Sequence, residues 1–233
     1  MVPPFVAAAL FALWGCKGSE EVGPLIAAQP GKGVDVVPVR VALGEGVDVA
    51  EAQAVFVRAQ AFMADCGLGL QEVQPARRVA LKTLFGARLE SSGASGEQRD
   101  VGKTLRAMVK RFAPPASGWV QLVLLKAVSS PGSVARRALG SLDGVGLRSG
   151  DPEFAKLGLP QRFGPIVFAR PKAYTIVHEL GHALGLDHRT SQGEGVANLM
   201  APGSEVPGRC RLDRDQQRVI RAELERLAEN RKR

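Results

Sequence analysis

The chain has 233 residues, 45% of them hydrophobic, which is enough for one substantial core. Its formal net charge is +8, but the basic residues stand in short dispersed pairs without an aromatic platform or a nucleic-acid motif. We therefore expect no nucleic-acid partner. Few aromatic residues (5%), with 27 glycines and 15 prolines, favour a mixed α and β domain over a helix bundle.

The first fifteen residues carry no charged side chain and are too few to span a bilayer, as is typical of a secretion signal. The stretch ends in Leu13, Trp14, Gly15 and Cys16, which resembles the lipobox of bacterial lipoproteins and implies a lipid anchor on Cys16. We expect an exported protein of the cell envelope or the extracellular space, with a signal peptide at 1–15, a tether at 16–33 and a folded domain at 34–233. An ordinary signal peptide with an incidental cysteine, or a misassigned start codon, are the alternatives.

Two cysteines remain in the expected domain, Cys66 and Cys210. Exported domains lie in an oxidising compartment, so the sequence predicts a disulfide between them. Closing so long a loop stabilises the fold by about 4–5 kcal/mol in the chain-entropy description. Two separately buried thiols are the alternative, because Cys66 lies on an apolar helical stripe.

A strand is predicted over Val34–Leu43, with Pro38 confined to an edge or a bulge because it cannot donate to a sheet ladder. Asp48, followed by Glu51, has the pattern of a helix cap. Apolar residues then recur at helical spacing as far as Gly67, which predicts a buried helix behind the sheet.

The middle of the chain predicts further strands and one helix. One or two strands are expected within residues 68–90, the best candidate being Val79–Leu84, followed by a loop over Ser91–Gly96 and a helix over Glu97–Phe112. Trp119–Val128 is an almost unbroken apolar run, which indicates a central strand covered on both faces.

Two more strands are predicted before the motif that carries chemistry. Val145–Leu147 is a short candidate within a Gly- and Ser-rich segment, and we expect it at the edge of the sheet. Pro165–Ala169 forms the other strand.

The three histidines of the chain all lie within eleven residues: His178, His182 and His188. On a helix, the first two are one turn apart and project from the same face, as two ligands of one metal do. Gly185 can adopt the left-handed conformation that ends a helix and returns His188 to the metal. Glu179 lies beside the pair without occupying a ligand position.

Three neutral imidazoles suit Zn²⁺ with one open position for water, so zinc is the predicted cofactor. Zinc lowers the pKa of its bound water, and Glu179 can act as the general base that activates it. No histidine remains to serve a serine or cysteine nucleophile.

These residues resemble the metzincin clan of zinc metallopeptidases, whose signature is His, Glu, x, x, His, x, x, Gly, x, x, His. The stretch is most similar to the matrixins, but Arg189 stands where they have serine, so the subfamily stays open. By the same resemblance, Met200 in Asn-Leu-Met-Ala-Pro is the methionine of a Met-turn beneath the metal. Asp213 and Gln216 suggest the cap of a last helix, whose apolar face holds Leu212, Val219, Ile220, Leu224 and Leu227.

The resemblance implies an α+β fold: a twisted mixed sheet, a backing helix, the active-site helix, the Met-turn and a C-terminal helix. We expect a monomeric zinc endopeptidase that hydrolyses a polypeptide bound in extended conformation along the edge strand, through a zinc-bound water activated by Glu179. A zinc-containing binding or adhesion lipoprotein without proteolytic activity is the main alternative. A basic envelope protein that associates with anionic polymers is compatible with either.

Overall fold

The computed structural model describes residues 20–26, 33–85, 94–113, 117–129, 143–150, 158–159, 162–188, 198–200 and 212–232. Its strands are β1 (Glu21–Gly23), β2 (Asp35–Leu43), β3 (Leu68–Glu72), β4 (Ala76–Arg78), β5 (Thr83–Phe85), β6 (Val120–Leu124), β7 (Ala127–Ser129), β8 (Gly144–Leu147) and β9 (Ile166–Ala169). Its helices are α1 (Val49–Asp65), α2 (Ala94–Phe112), α3 (Ala173–Ala183) and α4 (Arg214–Arg231). Cys16, Cys210 and the predicted signal peptide lie outside these residues, so the lipid anchor and the disulfide stay predictions.

A mixed sheet forms the centre of the fold, in the order β1, β4, β2, β6, β9, β8, with β3 also paired to β2. The strands β3, β4, β6 and β9 join it in parallel pairs, whereas β1 and β8 pair antiparallel at its two ends. Among the described strands, β8 pairs only with β9 and therefore forms an edge. This confirms the edge strand that the sequence predicted around residues 145–147.

Helices cover both faces of the sheet, because strand side chains alternate between two apolar clusters. In β6, Leu122 and Leu124 pack with α1, α3 and α4, whereas Val123 faces α2. Within the described part of the chain, no helix is both long and apolar enough to cross a membrane.

The predicted backing helix is confirmed as α1. Its first turn is capped by Asp48, whose side chain accepts a hydrogen bond from the Glu51 amide, and Gly67 follows its end with a φ of 74°. The last helix is also confirmed: Asp213 and Gln216 form a reciprocal capping box at the start of α4. Val219, predicted on the apolar face of α4, is instead 37% exposed.

Several predicted boundaries were wrong. The segment 68–85 holds three short strands, and the predicted strand Val79–Leu84 covers the gap between β4 and β5 together with the first two residues of β5. The run Trp119–Val128 divides, because β7 leaves the main sheet and pairs with β5 in a small second sheet. Helix α2 begins at Ala94, within the predicted loop Ser91–Gly96.

Pro38 lies in an inner strand, not at an edge of the sheet. Proline is tolerated at this position because Pro38 pairs with only one neighbouring strand, β3. The pairing of β2 with β6 begins one residue later, at Val39.

Part of the predicted tether at 16–33 belongs to the fold. Strand β1 pairs with β4, and Leu25 and Ile26 are buried. Both of their amides donate to the Glu72 carboxylate, at 2.7 and 3.0 Å. The sequence of this segment has no periodicity, so its docking could not be predicted.

Candidate metal centre

The three histidines converge at the end of α3. Their ligand nitrogens all lie within 4.8 Å of one another. The Nε2 atom of His188 is 3.2 Å from that of His178 and 3.1 Å from that of His182. Gly185, with a φ of 98°, makes the turn that returns His188, as predicted from the sequence. His178 and His182 are half-buried, whereas His188 is exposed.

Two of the rings are held from behind by backbone carbonyls. His178 Nδ1 lies 3.0 Å from the Leu199 carbonyl oxygen, and His182 Nδ1 lies 2.9 Å from that of Leu186. A protonated Nδ1 donating to these carbonyls leaves each Nε2 with its lone pair directed at the common point.

The electrostatics of the site keep two of the rings, His178 and His182, neutral. The pKa of His182 is lowered to about 4, mainly by burial and also by the neighbouring His178. Burial also lowers the pKa of His178, an effect that the Leu199 carbonyl partly opposes. Near pH 7 these two imidazoles are therefore in the form that binds a metal.

This arrangement fits a metal ion. A tetrahedral zinc with Zn–N bonds of about 2.0–2.1 Å separates its ligand nitrogens by about 3.3–3.4 Å, close to the two Nε2 distances found here. The donor set of three nitrogens suits zinc, although copper, iron and nickel also accept imidazole ligands. His178, His182 and His188 could therefore hold such an ion.

Glu179 lies beside the three rings and outside the group of ligand nitrogens. Its Oε2 accepts a hydrogen bond from the Gly146 amide of β8 at 2.7 Å. Burial raises the pKa of Glu179 to about 7, and the Gly146 amide partly opposes the shift. A carboxyl group with a pKa near neutrality can both take and release a proton.

Two glycines let the edge strand come this close. A Cβ on Gly144 would lie 2.5 Å from Glu179 Cγ, and a Cβ on Gly146 would lie 2.1 Å from the Glu179 backbone oxygen. Neither residue was predicted to belong to the site, although a glycine in a short strand often indicates a close backbone approach.

Met200 is fully buried beneath α3. A Cβ on Gly181 would lie 2.3 Å from its sulfur, so the thioether packs directly on the backbone of α3. On the other side of the site, the Tyr174 ring lies 5.8 Å from the ring of His178 and contacts Phe62 of α1 edge to face. Tyr174 was not predicted to lie beside the histidines.

No family model matches this chain, and no curated protein is similar to it at a significant level. Among solved structures, metalloproteinase-II from Bacteroides fragilis is similar with a TM-score of 0.45 and 17% identity, over 83% of this chain and 53% of that one. A chaperone-substrate complex is similar with a TM-score of 0.39 and 12% identity, over 84% of this chain and 35% of that one. The chain thus spans about half the length of the first structure.

Proposed function

We propose that this protein is a zinc-dependent endopeptidase in which Glu179 transfers the proton. One observation carries the proposal: three imidazole nitrogens meet at one point while the adjacent carboxylate stays outside the ligand group. The metzincin-like spacing of these residues and the position of Met200 below them support it. A catalytic zinc site has this composition, with three protein ligands and an open position.

Each residue of the site then has a role. His178, His182 and His188 hold the ion, and Met200 supports the helix that carries the first two. When bound, zinc would polarise the peptide carbonyl and acidify water. The Glu179 carboxylate takes a proton from the attacking water and delivers it to the nitrogen of the leaving amine, which completes hydrolysis of the amide bond.

The substrate we propose is an extended polypeptide segment placed along β8. An edge strand offers backbone groups that a further strand can pair with. The Gly146 amide of β8 donates to Glu179, so this strand, which pairs only with β9 among the described strands, lies against the carboxylate that we propose is catalytic. A peptide pairing there passes the three histidines, which favours cleavage within a chain.

Export, a lipid anchor on Cys16, a monomeric state and a disulfide between Cys66 and Cys210 remain part of the proposal. Export and the lipid anchor depend on sequence patterns alone. Cys66 is buried at the end of α1, where the bond would join this helix to the segment before α4.

The test compares zinc-loaded wild type with Glu179→Gln on casein and on a peptide library. We expect the variant to bind zinc normally and to lose about 10²–10⁴-fold in kcat, the usual contribution of a general base. Glu225→Gln, which alters an exposed carboxylate on α4, is the matched control and should retain activity.

Equal turnover by wild type and Glu179→Gln would refute the role of Glu179. If neither hydrolyses any peptide while both hold zinc, the protein is instead a zinc-containing binding protein, as the main alternative states.

A further inference from the structure

We propose that Asn198 and Gln216 form a positioning pair that fixes the imidazole of His178 through the backbone of residues 198–200. The inference rests on the zinc site of the proposed function but not on peptidase activity. Both side chains lie behind the metal centre, and neither offers a ligand to the ion.

The two side-chain amides bind each other reciprocally. Asn198 Nδ2 donates to Gln216 Oε1 at 3.0 Å, and Gln216 Nε2 donates to Asn198 Oδ1 at 3.1 Å. Gln216 is only 3% exposed. Rotation of either amide would leave buried donors and acceptors without partners, which is costly, so the pair has one favoured arrangement.

Gln216 is itself held at the start of α4. Its Oε1 also accepts from the backbone N–H of Asp213 at 3.0 Å, and the backbone N–H of Gln216 donates to Asp213 Oδ1 at 2.8 Å. Further along the helix, Ile220 and Leu227 are buried in the main core. Helix α4 is thus anchored to the core of the protein, and it presents Gln216 from a fixed position.

Asn198 connects the fixed Gln216 side chain to the metal centre. Its Oδ1 also accepts from the Met200 amide at 2.9 Å, which closes a tight turn around Leu199. The carbonyl oxygen of Leu199 lies 3.0 Å from His178 Nδ1. The position of this carbonyl sets both the orientation and the tautomer of the His178 ring, because an Nδ1 proton leaves Nε2 free for a metal.

The pair therefore acts on the metal ligand His178 through four steps in series. Gln216 orients Asn198, Asn198 folds the turn, the turn places the Leu199 carbonyl, and that carbonyl orients His178. A pair that only stabilised the fold would raise the unfolding free energy without changing the zinc affinity of the folded protein.

Two nearly isosteric substitutions test this with zinc as the probe. Gln216→Glu keeps the Oε1 acceptor and removes the donor to Asn198, whereas Asn198→Asp removes the opposite donor and keeps its Oδ1 acceptor. Loss of a partner behind a ligand typically weakens metal binding about 10–100-fold, and we expect at least tenfold in a chelator competition. Gln217→Glu, the same change at the exposed neighbour, should alter affinity less than twofold.

A second measurement is the ¹⁵N spectrum of the histidine rings in the metal-free protein. The Nδ1-protonated form of His178 should dominate in the wild type and mix with the other tautomer in both variants. A merely structural pair would lower thermal stability and leave this signal unchanged.

Wild-type zinc affinity in the folded variants would overturn the inference, even if both variants were less stable. If Gln216→Glu does not fold, the milder Asn198→Asp decides in the same way. A wild-type protein that binds no zinc would refute the proposed function itself, and this inference with it, which is a different and distinguishable result.

Discussion

Gly144 and Gly146 leave two backbone positions without side chains where β8 lies against α3. The carboxylate of Glu179 occupies the space that a Cβ on Gly144 would need, since such an atom would lie 2.5 Å from Cγ and 3.1 Å from Cδ. The reactive position of Glu179 therefore depends on a residue that has no chemistry of its own.

We predict that Gly144→Ala lowers kcat by at least tenfold, because a displacement of about 1 Å in catalytic geometry can cost about 10²-fold. The zinc affinity should stay within twofold of wild type, since no ligand contacts Gly144. Steady-state kinetics and a chelator competition on the same preparation measure both. Full activity of Gly144→Ala would show that the proton-transfer step does not need the observed position of Glu179.

The residues that carry the proposed chemistry were the most predictable part of the protein. His178, His182 and His188 are close in sequence, so helix geometry and one glycine suffice to bring them together. Asn198 and Gln216 are 18 residues apart, and amide side chains of this kind are common on any surface. Their pairing depends on how α4 packs, which no local pattern reports.

At the scale of elements, Glu72 joins the β1 segment to the end of β3. Burial raises the pKa of Glu72, and this effect exceeds the opposing influence of the amides of Ile26 and Leu25. Because the folded-state pKa lies above the unfolded value of 4.5, the unfolded state loses its proton first as the pH rises. The contribution of Glu72 to stability is complete below pH 4.5 and is lost as the pH rises through the folded-state pKa.

We therefore predict that Glu72→Gln changes the pH dependence of folding. Relative to wild type, the variant should be more stable at pH 8 than at pH 4.5, with a larger free energy of unfolding at the higher pH, since glutamine does not ionise. Urea unfolding at the two pH values measures the difference. Glu45→Gln, at an exposed carboxylate, should show no such trend; a parallel trend in both variants would contradict the assignment to Glu72.

Helices with a capping residue and apolar periodicity were predicted well from the sequence, whereas strands of three residues were not. Helices α1 and α4 have capping residues and apolar periodicity, so their starts at Asp48 and Asp213 were expected. Strands β4, β5 and β7 have three residues each, too few to show alternation. Their pairing is decided by neighbours far away in the sequence.

At the scale of the whole molecule, a metal that binds only the folded state should stabilise the protein. At a free zinc concentration of 100 times Kd, the gain in unfolding free energy is about 2.7 kcal/mol. We predict a clear rise in Tm on adding zinc to the metal-free protein and its reversal by a chelator.

The variant His188→Ala distinguishes the effect of metal binding on Tm from the stability of the metal-free fold. Because His188 is exposed, its loss should change the Tm of the metal-free protein little while removing most of the zinc-induced rise. Differential scanning fluorimetry with and without zinc measures both values. An undiminished rise in the variant would mean that the ion binds elsewhere.

The ion pair between Asp35 and Arg221, at 3.0 Å, joins residues 186 positions apart. Both side chains are largely exposed, so the pair adds little energy, but it shows where the beginning of β2 meets α4. Along the chain, the three histidines all precede α4, so during synthesis they are made before Gln216. The hydrogen bonds between Gln216 and Asn198 can therefore form only after the histidine segment has been completed.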